Sequence, residues 1–128
     1  MMGRMSGATA SYRFRAAQRI KSPAEFEAVY GAKAVKRAGP LRVHARPSEG
    51  GHHRLGLSIG VRVGNAVVRA RVKRMLRETF RLWQHEWAGA YDLVVVAQAH
   101  DAASLEEYRR WMSDAAEQLH KHWVKRGG

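Results

Sequence analysis

The chain contains no cysteine, which excludes disulfides and thiolate metal sites. It contains no apolar run approaching the roughly 20 residues that span a bilayer. Acidic residues are scarce: 11 Asp and Glu stand against 23 Lys and Arg, a formal charge of +12. A surplus of that size repels itself in the compact state and favours polyanionic partners, nucleic acid first and an anionic membrane surface second. Catalytic patterns are lacking too. The carboxylates are scattered, with no pair placed for hydrolysis, and neither a serine–histidine–aspartate pattern nor a phosphate-cradling glycine loop can be defended. The histidines offer no better. His52 and His53 fall in a loop, and His120 and His122 are two apart on a helix, whereas helical metal ligands want i, i+4 spacing. No metal site and no catalytic residue are therefore assigned to the protein.

What is present fits one domain: 128 residues, 45% of them hydrophobic, sustain one modest core. Residues 1–15 carry Arg4, Arg13 and Arg15 with no apolar signal-peptide core behind them. They read as a flexible basic arm on a cytoplasmic protein, before a single α/β domain over 16–124 and a frayed tail at 125–128. Ser22-Pro23-Ala24-Glu25 is a helix start, with Ser22 as cap, Pro23 at the first position and Glu25 closing a capping box. Phe26, Val29 and Tyr30 follow on one face, and Gly31 is a plausible stop. Leu41 to Arg46 alternates as a half-buried strand, with a possible further short strand near Val35. Arg54 to Val63 alternates more strictly: Leu55, Leu57, Ile59, Val61 and Val63 face one way, and Gly56, Ser58, Gly60 and Arg62 the other. So bare a second face leaves room for something to lie on it.

Asn65 can cap the next helix, which is expected to run to about Glu86. On a wheel centred at Val68, the residues Val72, Met75, Leu76, Thr79, Leu82 and Trp83 fall within roughly 80° either side. Arg69, Lys73, Arg74, Arg77 and Arg81 fill the opposite arc, and Glu78 is the one acid between Arg62 and Arg81. One face should pack on the sheet and the other should hold phosphates. A charge run is usually just a solvated face, but such a face normally mixes signs. Leu93 to Ala97 is an unbroken apolar run, a central strand buried on both sides. Ser104 to Glu107 forms a second capping box before a last helix with the stripe Leu105, Tyr108, Met112, Ala115, Leu119 and Trp123. Together these elements predict a mixed α/β sandwich of helices on one small sheet. Phe26, Tyr30, Arg42 and His44 could stack and pair with single-stranded RNA, although spacing alone favours Phe26 and Tyr30 as ordinary core.

The stretch from Arg54 to Arg74, RLGLSIGVRVGNAVVRARVKR, resembles the signature of the bacterial ribonuclease P protein component. Met75 to Arg81, Ser22 to Tyr30 and Tyr91 to Ala97 are similar in the same order and spacing, so the resemblance spans about residues 13 to 124. It implies a four-stranded mixed sheet packed with three helices and a left-handed strand–helix–strand crossover, a rare handedness. It also implies a protein subunit that binds a catalytic RNA and the 5′ leader of precursor tRNA, assisting endonucleolytic removal of the leader. The catalytic Mg2+ would sit mainly in the RNA, and no obligate protein partner or membrane is implied. By resemblance, Asn65, Arg69, Arg71, Lys73, Arg74 and Arg77 contact the RNA subunit. Phe26, Tyr30, Arg42, His44, Ser58 and Arg62 line the leader cleft. Two departures stand out: Ala70 replaces the asparagine of the family's Arg-Asn-Arg triplet, and His44 replaces a frequent aromatic. Two rivals stay open, a ribosomal-type RNA binder and a stand-alone nuclease, the second of which needs convergent carboxylates.

Overall fold

A computed structural model describes residues 16–127; the expected basic arm, residues 1–15, and Gly128 lie outside them. Three helices pack on a four-stranded sheet: α1 (Pro23–Gly31), β1 (Val35–Ala38), β2 (Leu41–Pro47), β3 (Arg54–Ser58), α2 (Ala66–Trp83), β4 (Tyr91–Ala97) and α3 (Leu105–Lys125). The sheet order is β1-β2-β4-β3. β4 pairs antiparallel with β2 and parallel with β3, so α2 is the crossover between two parallel neighbours. The short piece near Val35 is a full edge strand.

Both expected capping boxes form. Ser22 accepts from the Glu25 amide and Ser104 from the Glu107 amide, each with the reciprocal glutamate contact. Asn65 Oδ1 accepts from Val68 N at 2.9 Å and starts α2. The helix ends at Trp83 and tightens into a 3-10 turn, Gln84–Glu86. α3 continues through Lys125, one residue into the stretch expected to fray.

Strand pleating gives the sheet two unlike faces. Leu41, Val43, Ala45, Leu55, Leu93 and Val95 point to one side and are buried beneath α2 and α3, against Val72, Leu76, Phe80, Tyr108, Met112 and Leu119. Each large side chain there contributes about 1.5–3 kcal/mol by leaving water. Phe80, which the wheel left out, is fully buried, whereas Val68 at its centre is 38% exposed. The buried stripe is therefore rotated toward Phe80, and the first turn of α2 overhangs the sheet.

The long strand expected over Arg54 to Val63 stops at Ser58, which pairs with Val96 near the end of β4. With no partner beyond, the chain turns into a 3-10 segment, Val61–Val63. The alternation continued because Ile59 and Val63 still reach the core, while Val61 is 75% exposed. Arg62 consequently leaves the strand face.

Candidate nucleic-acid interface

The second face of the sheet is built in three rows read from the strand register. Arg46, Asp92 and Arg54 form the first; His44, Val94 and Gly56 the second; Arg42, Val96 and Ser58 the third. α1 covers the first two rows and leaves the third open.

The first row is an ion network that sequence reasoning missed. Arg54 binds Asp92 through two bonds, Nε to Oδ1 at 2.8 Å and Nη2 to Oδ2 at 3.0 Å. Arg46 adds Nε to Oδ2 at 3.0 Å, and Arg54 Nη1 reaches Glu25 Oε2 at 3.0 Å. Burial would raise the Asp92 carboxyl, but the bonds from Arg54 and Arg46 outweigh it and hold the group below its usual range. The Arg54 bond holds Glu25 at about 2, helped by the Lys21 and Ser22 amides. Glu25 thus closes the capping box and fastens α1 to the sheet. The signal was available: a carboxylate inside an otherwise apolar central strand calls for a cationic partner.

In the second row Gly56 explains the bare strand face. A Cβ there would lie 2.9 Å from Phe26 Cζ and 3.1 Å from Ile20 Cβ. Much of the space the sequence left open is therefore filled by the chain's own Phe26 and Ile20, with Val29 and Val94 beneath. Phe26 is both core and cleft wall, so the two alternatives were not exclusive. Its ring is 6.5 Å from that of Tyr30, which meets His44 edge-on at 4.8 Å. Burial, with Arg42 nearby, lowers the His44 pKa. Phe26, Tyr30, Arg42, His44 and Ser58 converge on this face; Arg62 is exposed on the turn beyond it.

A second cleft of about 410 Å³ opens at the β3 edge, where Ile20 N donates to Leu55 O at 3.0 Å. Arg19 and Lys21 on one side and Lys73 and Arg77 of α2 on the other surround Phe26 and Leu57, with no carboxylate in the lining. Arg19 and Lys21 were not anticipated, because only the fold brings that segment to the strand edge. A further hollow of about 300 Å³ lies on α2 itself, among Ala66, Arg69, Ala70, Lys73 and Arg77. Arg69 Nε is buried there with no hydrogen-bond partner among the described residues. The other predicted cations divide. Arg74 and Arg77 are exposed, Arg71 turns toward α3 and donates to Ala103 O at 2.9 Å, and Arg81 is paired with Glu78. Among the described residues no group of three or more His, Asp or Glu is placed to hold a metal ion, and no helix is long and apolar enough to cross a membrane.

These features define an α/β module with a half-open aromatic–basic sheet face and an adjoining cationic helix, a combination that suits single-stranded polyanions. The ribonuclease P family model matches residues 14–121. The ribonuclease P protein component of Exiguobacterium sibiricum is 35% identical over 111 residues, 86% of this chain and 90% of that protein. That of Methylococcus capsulatus is 36% identical over 114 residues, 88% and 84%. A Staphylococcus aureus RNase P protein, a mutant with defective mRNA degradation activity, superposes with a TM-score of 0.65 at 26% identity, over 81% of this chain and 89% of that one. The Thermotoga maritima RNase P protein shares the fold, with a TM-score of 0.67 at 20% identity over 78% of this chain and 96% of its own. The chain belongs to the ribonuclease P protein family.

Proposed function

We propose that this chain binds the catalytic RNA of ribonuclease P through α2 and receives the 5′ leader of precursor tRNA on the half-open sheet face. The observation that carries the reading is the edge cleft. There Lys73 and Arg77 from α2 face Arg19 and Lys21 across Phe26 and Leu57, with no carboxylate in the lining. Cations lining one cleft neutralise the phosphates of a strand that enters it and release their counterions. The Nε of Arg69, without a hydrogen-bond partner among the described residues, is a donor that a phosphate oxygen would satisfy. Asn65, Arg74 and the remaining guanidinium edges of Arg71 extend the same contact. The leader is held by Tyr30 and His44 as stacking surfaces, by Phe26 as the wall, and by Arg42, Ser58 and Arg62 toward the open end.

Among the described residues no cluster of His, Asp or Glu is placed for a magnesium ion, and in this reading the Mg2+ of the reaction is held mainly by the RNA. The protein's part is to bind, orient and neutralise charge. Reconstitution tests this. Mixed with a bacterial ribonuclease P RNA at low magnesium, the chain should stimulate cleavage of precursor tRNA; absence of stimulation would sink the reading. Cleavage by the chain without RNA would instead revive the nuclease alternative. A ribosomal-type binder would be recognised by ribosomal RNA co-purifying in place of one RNA of defined length.

A further inference from the structure

At the sheet edge opposite α2's cleft, a groove of about 730 Å³ runs between β1 and the last turns of α3. Lys36 enters it from the strand, and Gln118, His120, Lys121 and Lys125 from the helix, with no carboxylate in the lining. Three strand spacings separate the two edges, on the order of 14 Å. A helix end alone accounts for Lys125, because cations in the last turn offset the carbonyl dipole. It does not account for Lys36, which comes from another element, or for His120, whose ring is held in place. Tyr91 Oη lies 2.8 Å from His120 Nδ1. With the hydroxyl donating, the imidazole proton sits on Nε2, leaving this ring a donor. Gly89 permits the contact: its φ is +80°, and a Cβ there would lie 2.5 Å from Tyr91 Cε2 and 3.0 Å from His120 Nδ1. Trp123 Nε1 donates to Ala45 O at 3.2 Å and seats this end of the helix on the sheet. Among the described residues Lys121 pairs with Glu117 at 3.5 Å, a pair whose side chains are 74% and 67% exposed and which contributes little.

We propose that this groove is a second phosphate-binding site, taking a nucleic-acid strand on the side of the molecule away from the α2 cleft. It rests on the RNA-binding reading above. Gln118 Nε2 already donates to Asp114 Oδ2 at 3.3 Å, so the ammonium groups and the imidazole N–H are the donors that would recognise phosphate oxygens, in the same way as the α2 cations. The protein would then bridge two strands of its RNA complex.

The test compares two variants of the full chain in salt-dependent binding to ribonuclease P RNA. Removing the groove cations with Lys36→Ala, Lys121→Ala and Lys125→Ala should flatten the slope of log affinity against log salt by about 2, while the thermal melt stays unchanged. An unchanged slope overturns the proposal. Lys73→Ala with Arg77→Ala is the separate arm: if that pair leaves the slope unchanged while the triple variant flattens it, the α2 reading fails and the groove stands. The His120 Hε1 resonance gives an independent readout. It should move saturably with a single-stranded RNA oligonucleotide and should not in the triple variant. A response to inorganic phosphate with none to the oligonucleotide would overturn the assignment to a polynucleotide.

Discussion

The two faces of the sheet are stabilised by different physics. Beneath α2 and α3 the strands present an apolar layer, and no ion pair among the described residues is drawn into it. On the α1 side the same strands present His44, Arg46, Arg54 and Asp92 beneath the helix and Arg42 beyond it, with Val94 and Val29 of α1 fully buried as a small apolar patch. The first face holds the fold through area removed from water. The second holds α1 through directed charge contacts, and leaves unspent donors and ring faces at its open end. Breaking the comparison means showing that the two faces fail in the same way.

The largest effect should come from the apolar face. Phe80→Ala removes a fully buried ring from beneath α2 and should cost about 3–5 kcal/mol, measured by urea unfolding. RNA affinity per folded molecule should hardly change; a large loss of it would mean that the two faces are coupled. Asp92→Asn should come next. It leaves Arg46 and Arg54 without their shared carboxylate and should cost about 2–3 kcal/mol. That is under the loss from a fully buried ion pair, because the arginines keep 31% and 20% side-chain exposure. Hydrogen exchange should locate the damage at α1 before the core. Uniform loss of protection would erase the distinction between the faces.

The contrast also explains what was legible in the sequence. Caps, the central strand and α3's stripe were readable because each depends on local spacing. The buried stripe of α2 was misplaced by its rotation toward Phe80, since the overhanging first turn leaves Val68 unneeded in the core. β3 was drawn too long, because Ile59 and Val63 stay apolar for the core after pairing has ended. Phe26, Tyr30, Arg42, His44 and Ser58 were expected together through family resemblance; the register brings Arg42, His44 and Ser58 to one face, against which α1 sets Phe26 and Tyr30. Arg19 and Lys21 were invisible, and Asp92 signalled only that some cation was needed, because the pairing that brings Arg46 and Arg54 beside it joins distant segments.

A smaller effect should follow Gly56→Ala. The added methyl meets Phe26 Cζ at 2.9 Å and must push that ring outward, at about 1–2 kcal/mol. Because Phe26 walls both the sheet face and the edge cleft, affinity for a leader-bearing precursor should fall more than affinity for the RNA subunit. Equal losses in the two titrations would remove Phe26 from the leader site.

The smallest effect separates the faces by a single proton on each. His53 lies at the apolar layer's edge, its Nδ1 accepting from Tyr91 N at 3.0 Å and its Nε2 set 3.0 Å from Trp87 O. Burial lowers its pKa, as burial and Arg42 lower that of His44 on the polar face. The unfolded chain takes up both protons near the ordinary histidine value of about 6.5. Both groups therefore give full stability above that pH and lose it as the pH falls from there through their folded pKa values. Carboxylate loss follows at lower pH: Glu25 contributes above its ordinary range and loses that contribution as the pH falls toward about 2. Stability against pH alone cannot assign the first limb to either histidine, but RNA can. A leader phosphate beside His44 favours its charged form and should raise its pKa, read from the imidazole resonances. His53, enclosed by Trp87 and Tyr91, should titrate as before. If RNA shifts the two rings together, or shifts neither, the half-open face is not where the leader lies.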